Sequence, residues 1–517
     1  MEEIKHTTLN PKNIRSLKWK IFLTCWIIFT AHFATNVVRE HYPAFSLVDH
    51  GTFKVDEYQG FHPDIFVHKD GHSYIGNNVT GSVIAAIPLL LFKPVLDWLG
   101  DYGKAKVAKA GNRVHAEYRT NKPNRRRFFK LVKERGLYLK FGAATVITSA
   151  FLMAPLSALF VVLLFQILLI RGVGTRRAIW LAFLFGFATP IFFRTAHLNH
   201  NMFMMMVDFW AFYLLWQPSR ENTFPAWRTR FWAGFLAGFG LALDYAGVVP
   251  LLALYGYLFF IRFSETSFKQ AFVDSLPFVI GAVPPVLFLL YTQWAMYGNP
   301  FLPGQYWMPP VHYTDRGWRG FDWPSPDLYW LNLFSLSYGM FTFSPLLLAG
   351  FIPIYFIKKR DQLIFPIRER RFSAIFVILF LTFCAANQYS RMQFNTGFRY
   401  LLPLVPFVFL AASDHLNRLS NKWLAIISVP TLFHSWVLSM YREPVDISWR
   451  LFFQHGIQLP WLSVLKMVNP PDHPILSKPF LPILVLALCS LVIWGIWKYP
   501  FSGESRSSQP ILSTPGK

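Results

Sequence analysis

The chain is poor in cysteine, in acidic residues and in charge altogether. Its three cysteines, Cys25, Cys384 and Cys489, all fall in apolar stretches of the 517-residue sequence, so no disulfide framework holds the fold and the redox compartment is not legible from them. Only 15% of residues are charged, too few to clothe a water-soluble chain of which 53% is hydrophobic and 18% aromatic. Acids number 27 against 50 lysines and arginines, a formal net charge of +23. A surplus of that sign raises nucleic acid as a partner. The lysines and arginines lie mostly between hydrophobic runs, however, where they act as topology signals and contacts to anionic membrane lipids, so nucleic-acid binding is set aside. The residue-by-residue alternation of a membrane β-barrel is missing too.

Apolar runs of roughly twenty residues recur from one end to the other, the pattern of an all-α polytopic membrane protein. Candidate spans are 19–38, 141–170, 178–193, 202–217, 231–243, 246–261, 273–295, 331–357, 372–387, 398–413, 423–440 and 481–497, about twelve in all. Residues 1–18 read as a cytoplasmic segment ahead of an uncleaved first helix, because Lys5, Lys12, Arg15, Lys18 and Lys20 precede an apolar run longer than a signal-peptide core. The transmembrane domain covers 19–497, and 498–517 is expected to be a cytoplasmic tail. From a cytoplasmic start, the clusters at Arg171/Arg176/Arg177, Arg220/Arg228/Arg230, Arg262/Lys269, Lys358 to Arg371 and Arg418/Lys422 all fall inside, as the positive-inside rule requires.

The run 82–100 is nearly long enough to span. Letting it do so would export five basic clusters, and Pro88 and Pro94 suit a broken helix, so it is expected to lie in the interface or to re-enter it. It belongs to a first external loop, 39–140. Within that loop the basic insertion 101–140 carries thirteen lysines and arginines against the positive-inside rule, which leaves a lipid-contacting arm and a solvated insertion both open.

The external face then receives nearly every unusual polar residue. In "VDEYQGFHPDIFVHKDGHSYIGNNVTG", Asp56, Glu57, Asp64 and Asp70 stand with His62, His68 and His72 behind the first span. A carboxylate there can take a proton from an incoming hydroxyl while a lipid head group approaches from the bilayer, a contribution of roughly 10²–10⁴-fold in rate. The same residues could be solvated loop positions, or could hold a divalent metal, although no spacing is diagnostic of one. In "FRTAHLNHN", His197 and His200 with Arg194 and Asn199 can bind phosphate or cap helices. Asp244 in "ALDYAG" is an N-cap or a hydrogen-bonding group of the same cavity. Tyr306 sits in "YGNPFLPGQYW", a loop dense in aromatics that fits either an interfacial belt or stacking on a sugar ring. Arg391 and Arg399, in "NQYSRMQFNTGFRYLLPLVPF", can snorkel to head groups or grip a phosphate through a bidentate fork. Asp208, deep in an apolar run, is the best candidate for an intramembrane carboxylate of the kind transporters use.

In their order along the chain, the first helix, "GTFKVDEYQGFHPDIF", "SYIGNNVTGSVIAAIP", "YGNPF", "GMFTFSPLLL" and "GFRYLLPLVPF" resemble the GT-C superfamily of polytopic glycosyltransferases, such as protein O-mannosyltransferases and bacterial aminoarabinose transferases. The resemblance extends from about residue 19 to about 413. It implies an enzyme that transfers a sugar from a polyprenyl-phosphate donor to a lipid, glycan or protein hydroxyl on the non-cytoplasmic face, in the cell envelope at a bacterial inner (plasma) membrane with both termini cytoplasmic. It implies Asp64 as the base, with Asp56 or Glu57 next in line, donor phosphate on Arg399, Arg391 or His197, and substrate contacts at Asn78, Tyr74, Asp244 and Tyr306. No metal ligand is assigned and no cofactor is certain, a divalent metal remaining possible. One departure stands out. Where many relatives have Lys-x-Pro-Gly, this chain has Asn78, Val79, Thr80 and Gly81, which removes a cation from the donor phosphate. A lipid-linked-sugar flippase or secondary transporter, and a non-catalytic envelope scaffold, are the competing classes.

Overall fold

The computed structural model describes residues 11–111, 123–220, 223–310, 312, 314–356, 363–393, 397–468 and 479–499. Residues 1–10, the middle of the basic insertion (112–122), Lys358, Lys359 and Arg360, residues 394–396 and 469–478 of two expected external loops, and tail residues 500–517 lie outside the described part.

The chain is mostly helical. Among the described residues, five helical stretches are long and apolar enough to cross a bilayer: Tyr138–Ile170, Tyr245–Phe263, Phe268–Tyr297, Asn421–Tyr441 and Phe480–Lys498. The expected run 82–100 is a bent pair. Helix Thr80–Leu91 meets helix Lys93–Ala110 at 84°, and Pro94 occupies the first turn of the second helix, where its missing N–H has no partner to lose. Twelve residues rise only about 18 Å, short of a hydrocarbon core about 30 Å thick. The break therefore fits the expectation of an interfacial or re-entrant element.

The expected span 19–38 is helical only as far as Ala31, and three others are not continuous helices. Residues 331–357 break into Pro326–Phe334, Met340–Phe343, Pro345–Phe351 and Ile354–Phe356, because Gly339, Pro345 and Pro353 interrupt the backbone ladder that a single helix would need. Residues 178–193 divide into Thr175–Phe187 and Pro190–Thr195, the second started by Thr189, whose hydroxyl accepts from the Ile191 amide at 3.4 Å. Residues 398–413 begin as a turn and become helical at Val405–Leu416.

Close backbone approach, the usual means of packing helices in lipid, joins helix Trp227–Leu243 to helix Phe268–Tyr297. A Cβ at Gly234 would stand 1.8 Å from the Phe278 carbonyl oxygen, and one at Gly281 would stand 2.0 Å from that of Phe231. Only glycine fits at either contact.

At one end of this bundle the connecting segments touch each other. The Ala34 amide donates to the Ala196 carbonyl at 2.7 Å. Asn78 and Thr80 donate to the Ala242 carbonyl at 3.2 and 2.7 Å. Arg442 donates to the Phe193 carbonyl at 2.9 Å. The candidate site lies at this end.

Candidate functional site

The acidic segment folds as a small hairpin. Ile65–Val67 pairs antiparallel with Ser73–Ile75, with Phe66 opposite Tyr74, and Gly71 turns the chain at a positive φ of +82° that a side chain would resist. Two carboxylates fasten it. Asp56 accepts from the Ser73 amide and contacts His72 Nδ1 at 2.9 Å. Asp70 accepts from the His72 amide at 3.0 Å and from the Tyr74 hydroxyl at 2.8 Å. Glu57 faces His50 at 3.0 Å, with both side chains exposed. Asp56, Glu57 and Tyr74, three of the expected site residues, are thus engaged in or beside the hairpin's own construction. Asp64 alone among these acids points elsewhere.

Asp64 stands just ahead of the first strand. Its carboxylate accepts from Arg39 Nη1 at 2.8 Å, while Arg39 Nε lies 3.5 Å from Glu40 Oε1. Burial opposes ionisation of Asp64, but the charges of Arg39, His62 and Arg399 overcome it and hold the carboxyl below its usual range. Arg399, far away in the sequence, is therefore an electrostatic neighbour of Asp64.

Glu40 continues the network. His200 directs Nδ1 at Glu40, 2.5 Å away, and Nε2 at Asp244, 3.0 Å away. Asp244 also accepts from the Asn201 side chain at 3.1 Å and from the Ala246 amide at 2.9 Å. Asp244 is thus the expected N-cap, one oxygen accepting from the Ala246 amide while the other joins the network. In the neighbouring hairpin the expected histidine cap is instead Asn199, which accepts from the Asn201 amide at 3.0 Å.

A group of arginines lies beside this network. Arg194 is fully buried and donates to the carbonyls of Phe398 and Gly397; burial first, then the charges of Arg399 and Arg442, works against its own charge. Arg442, in the left-handed region at φ +57°, caps helix Asn421–Tyr441, and its guanidinium donates to His197 Nδ1 at 2.7 Å. Burial, with Arg125 nearby, pushes Arg442 down to about 10. Burial and the same arginines hold His197 well below its ordinary value. With Nδ1 accepting from Arg442, that nitrogen of His197 is no donor for a phosphate.

Arg399 is the more available cation. One Nη donates to the Tyr400 hydroxyl at 2.9 Å and to the Met392 carbonyl at 3.4 Å, while its buried Nε has no hydrogen-bond partner among the described residues. Arg391 is committed otherwise, to Asp327 and to Gln388.

The remaining expected contacts are split. Asn78 is buried with its Nδ2 on Ala242, and its Oδ1 has no partner among the described residues. Tyr306 is part-exposed on the aromatic loop, beneath the Arg319 guanidinium at 5.0 Å. That loop does reach the hairpin, where Trp307 packs edge-on to His68 at 5.0 Å and the Tyr297 hydroxyl donates to the Ile75 carbonyl at 2.6 Å. An open groove of about 540 Å³ near Phe321 and Trp323 contains none of these residues.

Sequence reasoning passed over Arg39, Glu40 and Arg442. A signal for the first two exists, an adjacent cation and anion directly after the first apolar run, whereas nothing in the sequence marks Arg442. Among the described residues no group of three or more histidine, cysteine or acidic side chains could hold a metal ion. Compared with protein families, with curated proteins and with solved structures, the chain matches none.

Proposed function

We propose that the protein is a membrane glycosyltransferase, GT-C-like, which moves a sugar from a polyprenyl-phosphate donor to a hydroxyl acceptor on the non-cytoplasmic face of a bacterial inner membrane. The observation that carries this reading is the Asp64 carboxylate at the end of the bundle, accepting from Arg39 at 2.8 Å, with Arg399 adding to the positive field around it. In this reading Asp64 is the base and Arg399 the phosphate-gripping cation, and a lipid-borne substrate would reach them from the side of the bundle.

In this scheme the acceptor oxygen attacks the anomeric carbon as the carbon–oxygen bond to the donor phosphate breaks. Asp64 takes the acceptor's proton, and the polyprenyl phosphate leaves as an anion. A phosphate needs no proton to depart, so Arg399, with Arg194 and Arg442 behind it, supplies charge stabilisation in place of a general acid. A base on one side and a leaving group on the other favour inversion at carbon, as in two-sided glycoside chemistry. The aromatic loop around Tyr306 and Trp307 offers faces on which a sugar ring can stack. The twelve-span arrangement with both termini cytoplasmic belongs to the same reading.

The test is reconstitution of the purified protein with a polyprenyl-phosphate sugar and envelope lipids as acceptor source. Release of polyprenyl phosphate is expected, reduced roughly 10²–10⁴-fold in Asp64→Asn, the range for a lost general base. No release, or release indifferent to Asp64→Asn, overturns the proposal.

A further inference from the structure

We infer that His200 is a positioning residue, an imidazolium clamped between Glu40 and Asp244 that keeps Arg39 on Asp64. The inference rests on the glycosyl-transfer reading for its kinetic consequences, but not for its structural one.

Both nitrogens of the His200 ring face carboxylate oxygens, Nδ1 towards Glu40 at 2.5 Å and Nε2 towards Asp244 at 3.0 Å. A neutral imidazole has one N–H and one lone pair, so it can serve only one of two ionised carboxylates. The other contact would set a lone pair against an anion. The arrangement is satisfied when both nitrogens carry protons. The ring is 2% exposed and Glu40 5%, so water cannot replace a lost contact cheaply.

With His200 charged, the side chains form an unbroken alternation. Asp64 is negative, Arg39 positive, Glu40 negative, His200 positive and Asp244 negative, drawn from the first external loop, the start of helix His200–Trp216 and the apex before helix Val248–Phe263. Glu40 is then balanced by His200, and Arg39 can give its short contact to Asp64. Remove one proton from His200 and the single N–H left can serve only one carboxylate; when it stays on Asp244, Glu40 is left with Arg39, which is drawn from 3.5 Å towards it and away from Asp64. The base loses its orientation although nothing that touches substrate has changed.

The other ionisable groups around His200 do not duplicate this role. His41, next to Glu40, accepts from the Val38 amide at Nδ1 and faces Thr148 with Nε2. His197, in the same hairpin as His200, accepts from Arg442. The Cys384 thiol lies near Asp244 and is buried. Burial works against the charged ring of His200, but Asp244 and Glu40 outweigh it and raise its pKa above the ordinary value. The ring therefore keeps its charge to higher pH than an ordinary histidine, and the relay fails on the alkaline side of that raised value.

The experiment measures kcat and donor KM from pH 6 to 9 for the reconstituted wild type, His200→Gln and Asp244→Asn, with carbodiimide labelling of Asp64 read by mass spectrometry on the same samples. The wild type should show an alkaline limb in kcat. His200→Gln should abolish that limb and lower kcat roughly 10–100-fold, the scale of a small misplacement of a reacting group, with donor KM unchanged and Asp64 labelled several-fold faster. Asp244→Asn keeps the cap on Ala246 but removes one carboxylate, so the limb should move to lower pH; this variant also decides the matter if His200→Gln does not fold. Folded variants with the wild-type kcat, pH profile and labelling overturn the relay. If the wild type transfers no sugar, the glycosyltransferase reading fails by itself, and labelling alone judges the relay: a pH-independent rate equal in wild type and Asp244→Asn overturns it, and faster, pH-dependent labelling in Asp244→Asn supports it.

Discussion

Arg39 serves two carboxylates at once, donating to Asp64 at 2.8 Å while its Nε stands 3.5 Å from Glu40. Because Asp64 is held below its usual range mainly by Arg39 against the opposing effect of burial, the pair contributes stability that is fully present above the unfolded carboxyl value of about 3.9 and is lost as pH falls through the lower folded value. Acid unfolding of the detergent-solubilised protein should therefore begin at higher pH in Arg39→Gln than in the wild type. Coincident acid transitions would mean that the contact does not hold the loop.

Gly234 permits the closest approach between helix Trp227–Leu243 and helix Phe268–Tyr297, and the atom it faces is backbone, which cannot swing aside. Gly234→Ala is expected to force the two helices apart and destabilise the protein by about 1–3 kcal/mol, the usual cost of overpacking. Thermal denaturation in detergent checks it, with Gly142→Ala, where a Cβ meets open space, as the neutral control.

Asp414 shows what a structural carboxylate looks like in this chain. It is buried and accepts from the Ile364 and Phe365 amides at 2.7 and 3.1 Å and from Arg370 at 2.6 Å. Asp414→Ala strands all three donors, and a loss of about 3–5 kcal/mol is expected, as for breaking a buried pair. Urea unfolding should show it, while the kcat of the protein that remains folded should be unchanged.

Asp208 is the residue on which a transporter reading would depend. It is buried, neither carboxylate oxygen has a hydrogen-bond partner among the described residues, and Gly240 presses against it so closely that a Cβ there would come within 2.2 Å. Asp208→Asn is expected to leave sugar transfer within about two-fold, since the side chain touches none of the groups around Asp64. Flux of a lipid-linked sugar across vesicles, abolished by Asp208→Asn and indifferent to Asp64→Asn, would favour transport instead.

Much of the architecture was readable because apolar length and basic flanks are local properties. The stretches around 141–170, 246–261, 273–295, 423–440 and 481–497 correspond to helices that can span, and the prolines around 82–100 announced a break. Residues 331–357 misled because hydropathy averages over Gly339, Pro345 and Pro353, whereas the backbone does not. In the site, Asp64, Asp244 and Arg399 were found because unusual polar residues in an apolar chain are conspicuous. The partners of Asp64 were not, because the pairing of Arg39 with it, and of His200 with both Glu40 and Asp244, joins residues 25 to 160 positions apart. His197 illustrates the same limit, since an arginine 245 residues away decides that its Nδ1 accepts a hydrogen bond rather than carries a proton.

The most direct measurement is the binding of polyprenyl phosphate to the purified protein, alongside sugar transfer, in Arg399→Gln and Asp64→Asn. Arg399→Gln should weaken phosphate binding about ten-fold or more, the loss of a charge-assisted contact of about 1.5–3 kcal/mol, whereas Asp64→Asn should bind the lipid as well as the wild type and transfer sugar roughly 10²–10⁴-fold more slowly. Equal binding by wild type and Arg399→Gln, with transfer undiminished in Asp64→Asn, would contradict a site built on these two residues.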